Sequence, residues 1–317
     1  MGHEETFIIH KIWDELSQIN MHKINRVCQH NIQIGLVGST AAIEDMMKWL
    51  VSFPYHNFTF PVPDNDEIHS NKEMLKRLII IPVSTEEEFD KEKLKTSDFC
   101  IVESRIANEV KQFHTEVYPF DAADPNLAAQ ILANHERIRF ALSHNFPVFR
   151  PEHAKIEIQE TAIQNTAWVL ISTLPAYLPV LHRTIVAPLE MLADFIVLTL
   201  NEVKLMFELI GLLGEKIELR HILDFAVVFG LAKLSRGIAV LILRSIPAHA
   251  AVLAKAALAY ALTWAIGEAI VFFIVGRQRC NLSFLMQRVR HHFKNGLTEA
   301  QALMKKKELA ERSKAEG

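Results

Sequence analysis

The stretch Ile32-Gln33-Ile34-Gly35-Leu36-Val37-Gly38-Ser39-Thr40 decides the fold class of the first half of this 317-residue chain. It is apolar and β-branched, closes on glycine and hydroxyl residues, and leads into Ile43, Met46, Met47 and Leu50 at helical spacing. The pattern predicts a strand, a tight connection and an amphipathic helix. Two more short apolar runs, over residues 78–83 and 98–102, alternate with polar stretches, and 115–120 is a further strand candidate. This alternation predicts a small parallel-sheet α/β domain over residues 31–155. Ahead of it, Ile9, Ile12, Trp13, Leu16, Ile19, Ile24 and Val27 recur at helical spacing and predict an amphipathic helix within residues 1–30.

A strand followed by Gly35, Gly38, Ser39 and Thr40 is where a phosphate loop would stand, so these four residues are the candidate nucleotide-binding positions. The chemistry of such a loop needs a lysine for the β- and γ-phosphates and a hydroxyl for magnesium. Here Thr40, Ala41 and Ala42 occupy the places of Gly, Lys and Ser. The apolar run at 78–84 also lacks the Asp-x-x-Gly that would hold magnesium, and no Asn-Lys-x-Asp is present to read guanine. GTP hydrolysis is therefore not expected. Two readings of the glycines stay open, a tight turn with no ligand or residual binding of GTP. The aromatic and proline-rich loop over 53–70 falls where a GTPase switch would lie and is a candidate partner surface.

Beyond residue 155 the composition changes. Only sixteen charged residues occur between Thr161 and Gly276, whereas the tail from Arg277 onward carries ten Lys and Arg against four acids. Residues 156–280 therefore read as a hydrophobic helical domain, and 281–317 as a basic helical tail. The best membrane candidate is 256–276, about the 20 residues needed to cross a hydrocarbon core. Within it Ala257, Ala261, Ala265 and Ala269 recur every four residues and form a narrow face for close helix approach. Glu268 beside that face reads as a packing carboxylate paired with a cation from another helix, or as an intramembrane proton or ligand site.

Asp194, Asn201 and Glu208 form a polar stripe on another apolar helix, with Lys204 three residues beyond Asn201. Arg244 and Pro247 make 238–254 costly as a lone span, and Pro175, Pro179 and Pro188 interrupt the preceding apolar stretch. Three readings fit the whole: a membrane-inserted domain, a domain bound at the membrane surface, and a soluble bundle. Arg277, Arg279, Arg288, Arg290 and Lys305, Lys306 and Lys307 place the tail at the cytoplasmic face against anionic lipid. With no export signal at residues 1–14, the expectation is an inner-membrane protein with both termini cytoplasmic.

The overall balance of 34 Lys and Arg against 37 acids argues against nucleic acid as a partner. Three scattered cysteines suit a reducing compartment, and the fifteen histidines show no metal-ligand spacing, so no metal is expected.

The chain resembles the bacterial GTPase-like proteins that join a P-loop domain, often degenerate, to a C-terminal hydrophobic helical domain of unknown function. The resemblance is carried by Asn145-Phe146-Pro147-Val148-Phe149-Arg150, by residues 161–165 leading to Ile171-Ser172-Thr173-Leu174-Pro175, by 193–202 and by 255–263. The family pattern resembles Leu-Thr-Lys-Asn-Gln where this chain has Leu198-Thr199-Leu200-Asn201-Glu202, and a Gly where Leu262 stands. The resemblance implies membrane association and transfers no reaction or substrate. The expectation is thus a membrane-associated interaction or scaffolding protein, acting on lipid and a protein partner or a second copy of itself. The alternatives are a nucleotide-dependent regulatory GTPase with a non-standard loop, and a transport or channel component built on Glu268 and the Asp194 stripe.

Overall fold

The computed structural model describes residues 21–54, 72–83, 90–173, 183–217, 248–276 and 280–315. The N-terminal helix before residue 21, most of the 53–70 loop, the segment 238–247, Arg277, Arg279 and the Asp194 side chain lie outside the described residues. The chain divides into two compact units. One is Met21–Lys155 with Ile210–Ile217, and the other contains Ile156–Leu209 and Glu218–Gly317.

In the first unit, α1 (Met21–Cys28) precedes β1 (Ile34–Gly38), α2 (Thr40–Val51), α3 (Lys72–Leu75) and β2 (Leu78–Pro82). Next come α4 (Lys91–Lys95), β3 (Phe99–Glu103), α5 (Ala107–Val110), β4 (Val117–Phe120), α6 (Leu127–Asn134) and α7 (Arg139–Asn145). The four strands are all parallel in the order β2-β1-β3-β4. Every residue of β1 is buried, as a strand between two neighbours in a covered sheet requires. Register pairs Val37 with Ile81 and Val102, and Cys100 with Val117. These residues form one core cluster with Leu94, Ala107 and Val110. Helix α2 buries Ile43, Met46 and Leu50 at the spacing its sequence sets. Each such fully buried aliphatic side chain contributes roughly 1.5–3 kcal/mol.

The first unit closes on an arginine. Arg150, which opens α8 (Arg150–Thr173), donates from Nε to the Ser143 carbonyl at 3.0 Å and from Nη2 to that of His144 at 3.1 Å. Those carbonyls belong to the last turn of α7 and have no partner within the helix. Burial drives the Arg150 pKa down to about 10, against the favourable charge of Glu215. The segment 210–217 joins this unit where α9 (Arg183–Leu212) ends. Gly214 sits at φ +88°. The Glu215 N–H donates to Ile210 O and the Gly214 N–H to Gly211 O, the double bond pattern of a Schellman stop. His144 Nδ1 and Gly211 O lie 2.7 Å apart.

The second unit is helical, built from the 156–173 part of α8, the 183–209 part of α9, α10 (Ala248–Gly276) and α11 (Leu282–Ala315). Helix α10 is its core. A Cβ on Gly267 would lie 2.5 Å from Ile158 Cγ1 of α8, and one on Gly296 of α11 would lie 2.5 Å from the Ala257 carbonyl oxygen. Both contacts exist because glycine has no side chain to hold the helices apart. Helix α11, the basic helical tail of the sequence reading, is thus packed on α10. Residues 251–276 of α10 are long and apolar enough to cross a membrane, yet the most apolar window, of mean hydropathy 2.0, is 72% buried inside the protein.

Candidate functional site

In an open parallel sheet, ligands bind outside the carboxyl ends of the strands where the strand order reverses. Here the chain steps from β1 outward to β2 and returns to β3 on the other side of β1, so the reversal falls between β1 and β3. Ser39 follows β1 and Glu103 ends β3, so both stand at that point.

The four candidate nucleotide positions meet there differently from the expected loop. Gly35 lies inside β1 and opens no loop, and a Cβ on it would come within 2.8 Å of Cys100 Sγ. Gly38 is the last strand residue, and a Cβ on it would lie 2.9 Å from Glu103 Cβ. Neither has a positive φ. They are glycines because β3 side chains press on β1, which replaces the tight-turn reading with a packing one. Thr40 is exposed and already helical, so a single residue, Ser39, connects strand to helix. A phosphate loop wraps several residues around its anion, and one residue is too few to do so.

Ser39 caps α2, its hydroxyl accepting from the Ala42 N–H at 3.4 Å. Its own N–H donates to Glu103 Oε2 at 2.8 Å, and Arg105 Nε meets Glu103 Oε1 at 2.6 Å. The bond from the Ser39 amide, aided by Arg105 and opposed by modest desolvation, holds the Glu103 carboxyl below the ordinary carboxylate value. A carboxylate of the protein therefore occupies the start of α2, where the helix dipole favours an anion. Sequence reasoning missed Glu103 because no motif marks it; only the register, pairing Val37 with Val102, sets it one step beyond, level with Gly38.

The candidate residues of the helical unit fall into two buried polar groups. Asn201 Nδ2 donates to Asn165 Oδ1 at 2.7 Å, Asn165 Nδ2 donates to Thr263 Oγ1 at 2.9 Å, and Thr263 Oγ1 donates to Ala259 O at 2.9 Å. This chain ties α9, α8 and α10 together with every side chain in use. Glu268, 4% exposed, receives Arg288 of α11 in a two-pronged pair, Nη2 to Oε1 at 2.8 Å and Nε to Oε2. His292 Nε2 lies 3.1 Å from Glu268 Oε2, and its ring stacks on Trp264 at 4.8 Å between centroids. Burial alone would raise the Glu268 pKa, but His292 and Arg288 outweigh it and hold the carboxyl below its usual value.

Ala257, Ala261, Ala265 and Ala269 are all fully buried. The Glu208 carboxyl pairs with Lys204 at 3.3 Å, and burial, with Glu157 and Glu160 nearby, raises its pKa to about 7. Among the described residues no group of three or more His, Cys, Asp or Glu side chains could hold a metal ion.

No family model, curated protein or solved structure matches the chain. The class that fold and site define is accordingly a four-stranded parallel α/β unit with a self-occupied switch point, joined to a helical unit that carries a buried ionic group.

Proposed function

We propose that this chain is a membrane-associated interaction or scaffolding protein whose α/β unit has a degenerate GTPase-like plan and performs no nucleotide turnover. The observation that carries the reading is the Glu103 carboxylate on the Ser39 amide, one residue after β1. A nucleotide phosphate would have to displace a negative charge already bonded by an amide and by Arg105, and no lysine follows to compensate. The α/β unit then serves as a rigid platform whose loops contact a protein partner.

Association with the membrane is read as peripheral. Support comes from α10, whose small residues are consumed by contacts with α8 and α11, and from the charged outer face of α11, which a bilayer core would not tolerate. Two measurements test the reading on the full chain. Calorimetric titration with GTP and magnesium should give no binding at millimolar nucleotide, and saturable micromolar binding with phosphate release would overturn the non-catalytic assignment. Fractionated cell membranes should release the protein to high salt or alkaline carbonate, and a carbonate-resistant pellet would replace the peripheral reading by insertion.

A further inference from the structure

We infer that the outward face of α11 is the surface that docks this protein on a membrane, by binding the headgroups of anionic lipid. The inference rests on the membrane-associated reading and names its surface and its lipid class.

Helix α11 shows two faces. Leu285, Arg288, Val289, His292, Gly296 and Ala300 are buried, at the three- and four-residue spacing of a helix packed on one side. The opposite side carries Arg290, Lys294 and Lys305, and Lys306 stands at the edge of the packed side, all exposed. At 100° per residue the first three fall within an arc of about 60°, and at 1.5 Å per residue they extend over about 22 Å. Between residues 282 and 306 the only acid is Glu299, which is partly buried.

Several exposed cations on other helices are ion-paired. Lys48 is matched to Asp45, Lys95 to Glu92, Arg139 to Glu136, Lys155 to Glu152 and Lys204 to Glu208, each one helical turn away. Arg290, Lys294, Lys305 and Lys306 have no ion-pair partner among the described residues. Arg288, an inward cation of the same stretch, is paired with Glu268. A row of exposed cations without ion pairs among the described residues, on a chain of net charge -3, suits a flat anionic surface at short range.

A nucleic acid is the poorer match, because base stacking needs exposed aromatic platforms along the row, and Phe284 is instead stacked on Phe272 at 5.2 Å.

The test is co-sedimentation of the full chain with phosphatidylcholine vesicles, with and without about 30% phosphatidylglycerol. Binding to the anionic vesicles only, lost between about 0.05 and 0.5 M salt, is expected. R290Q/K294Q should weaken the partition about thirtyfold, at a factor of five or so per charge. K48Q, which removes a paired cation elsewhere, should leave it unchanged. Circular dichroism of the variants should match the wild type, since every substituted side chain is exposed.

Equal binding to both vesicle types, or unaltered binding by R290Q/K294Q, would overturn the α11 surface while leaving membrane association standing. No binding to either vesicle would overturn both. Preferential capture of a single-stranded oligonucleotide in competition with anionic vesicles would replace lipid by nucleic acid.

Discussion

Glu103 in the α/β unit and Glu268 in the helical unit are both carboxylates held below their ordinary pKa, but by different means. Glu103 is satisfied by a backbone amide at a helix start and by one exposed arginine, so water still shares its charge. Glu268 is satisfied by buried side chains alone, Arg288 and His292, on the next helix. The glycines differ in the same way: Gly35 and Gly38 make room for side chains of a neighbouring strand, whereas Gly267 and Gly296 let whole helices approach. An α/β unit can use its backbone to neutralise an anion because strand ends and helix starts leave amides free. A helix bundle has no free backbone in its middle, so its buried charges must be neutralised by other side chains.

The comparison is tested most severely at Glu268. Glu268→Ala leaves Arg288 buried and unpaired, and should cost about 3–5 kcal/mol of stability by chemical denaturation. Glu268→Leu with Arg288→Met should recover most of it, because removing both charges also removes their desolvation. A loss below about 1 kcal/mol for Glu268→Ala would show that the pair is wet and the contrast false.

Next in size is Glu208. Its folded pKa of about 7 lies above its unfolded value, so the folded state binds the proton more tightly. Stability from this group is present below about pH 4.5 and is lost as pH rises to about 7. Glu208→Gln should therefore stabilise the protein by up to about 3 kcal/mol at pH 8 and by little at pH 4, read from melts at both pH values. Equal effects at the two would show that Glu208 is solvated.

Gly214→Ala should cost about 1–3 kcal/mol, since φ +88° disfavours a side chain and its Cβ would lie 2.3 Å from Arg150 Nη2. The smallest effect is expected at the amide-held carboxylate. Glu103→Ala should lower stability by about 1 kcal/mol, the contribution of a charge-assisted bond at a partly open helix start, and thermal denaturation checks it. A loss as large as that of Glu268→Ala would erase the distinction between backbone and side-chain neutralisation.

Much of the fold was legible locally. The run 32–40 gave β1 and the helix after it, since a buried central strand must be continuously apolar and its helix must repeat at three and four residues. Strands β2, β3 and β4 were readable for the same reason. The candidate site was less so. The missing lysine and hydroxyl are visible in Ala41 and Ala42, but the carboxylate that occupies the amide lies 64 residues away in sequence. Apolar content leaves the reading of α10 open: 26 residues whose most apolar window has mean hydropathy 2.0 describe a membrane span and a bundle core equally well.

By itself the sequence determined the periodicities, and with them the alternating strands and helices of the first half and the long apolar helices of the second. It also determined which catalytic side chains are lacking, because an absent lysine is absent in any fold. The tertiary structure alone decided partnership: Glu103 with Ser39, Glu268 with Arg288, Asn201 with Asn165, and Gly296 with Ala257. Periodicity follows from the backbone geometry of each element, whereas a partner is chosen by how strands and helices pack, and residues distant in sequence leave no local trace of that choice.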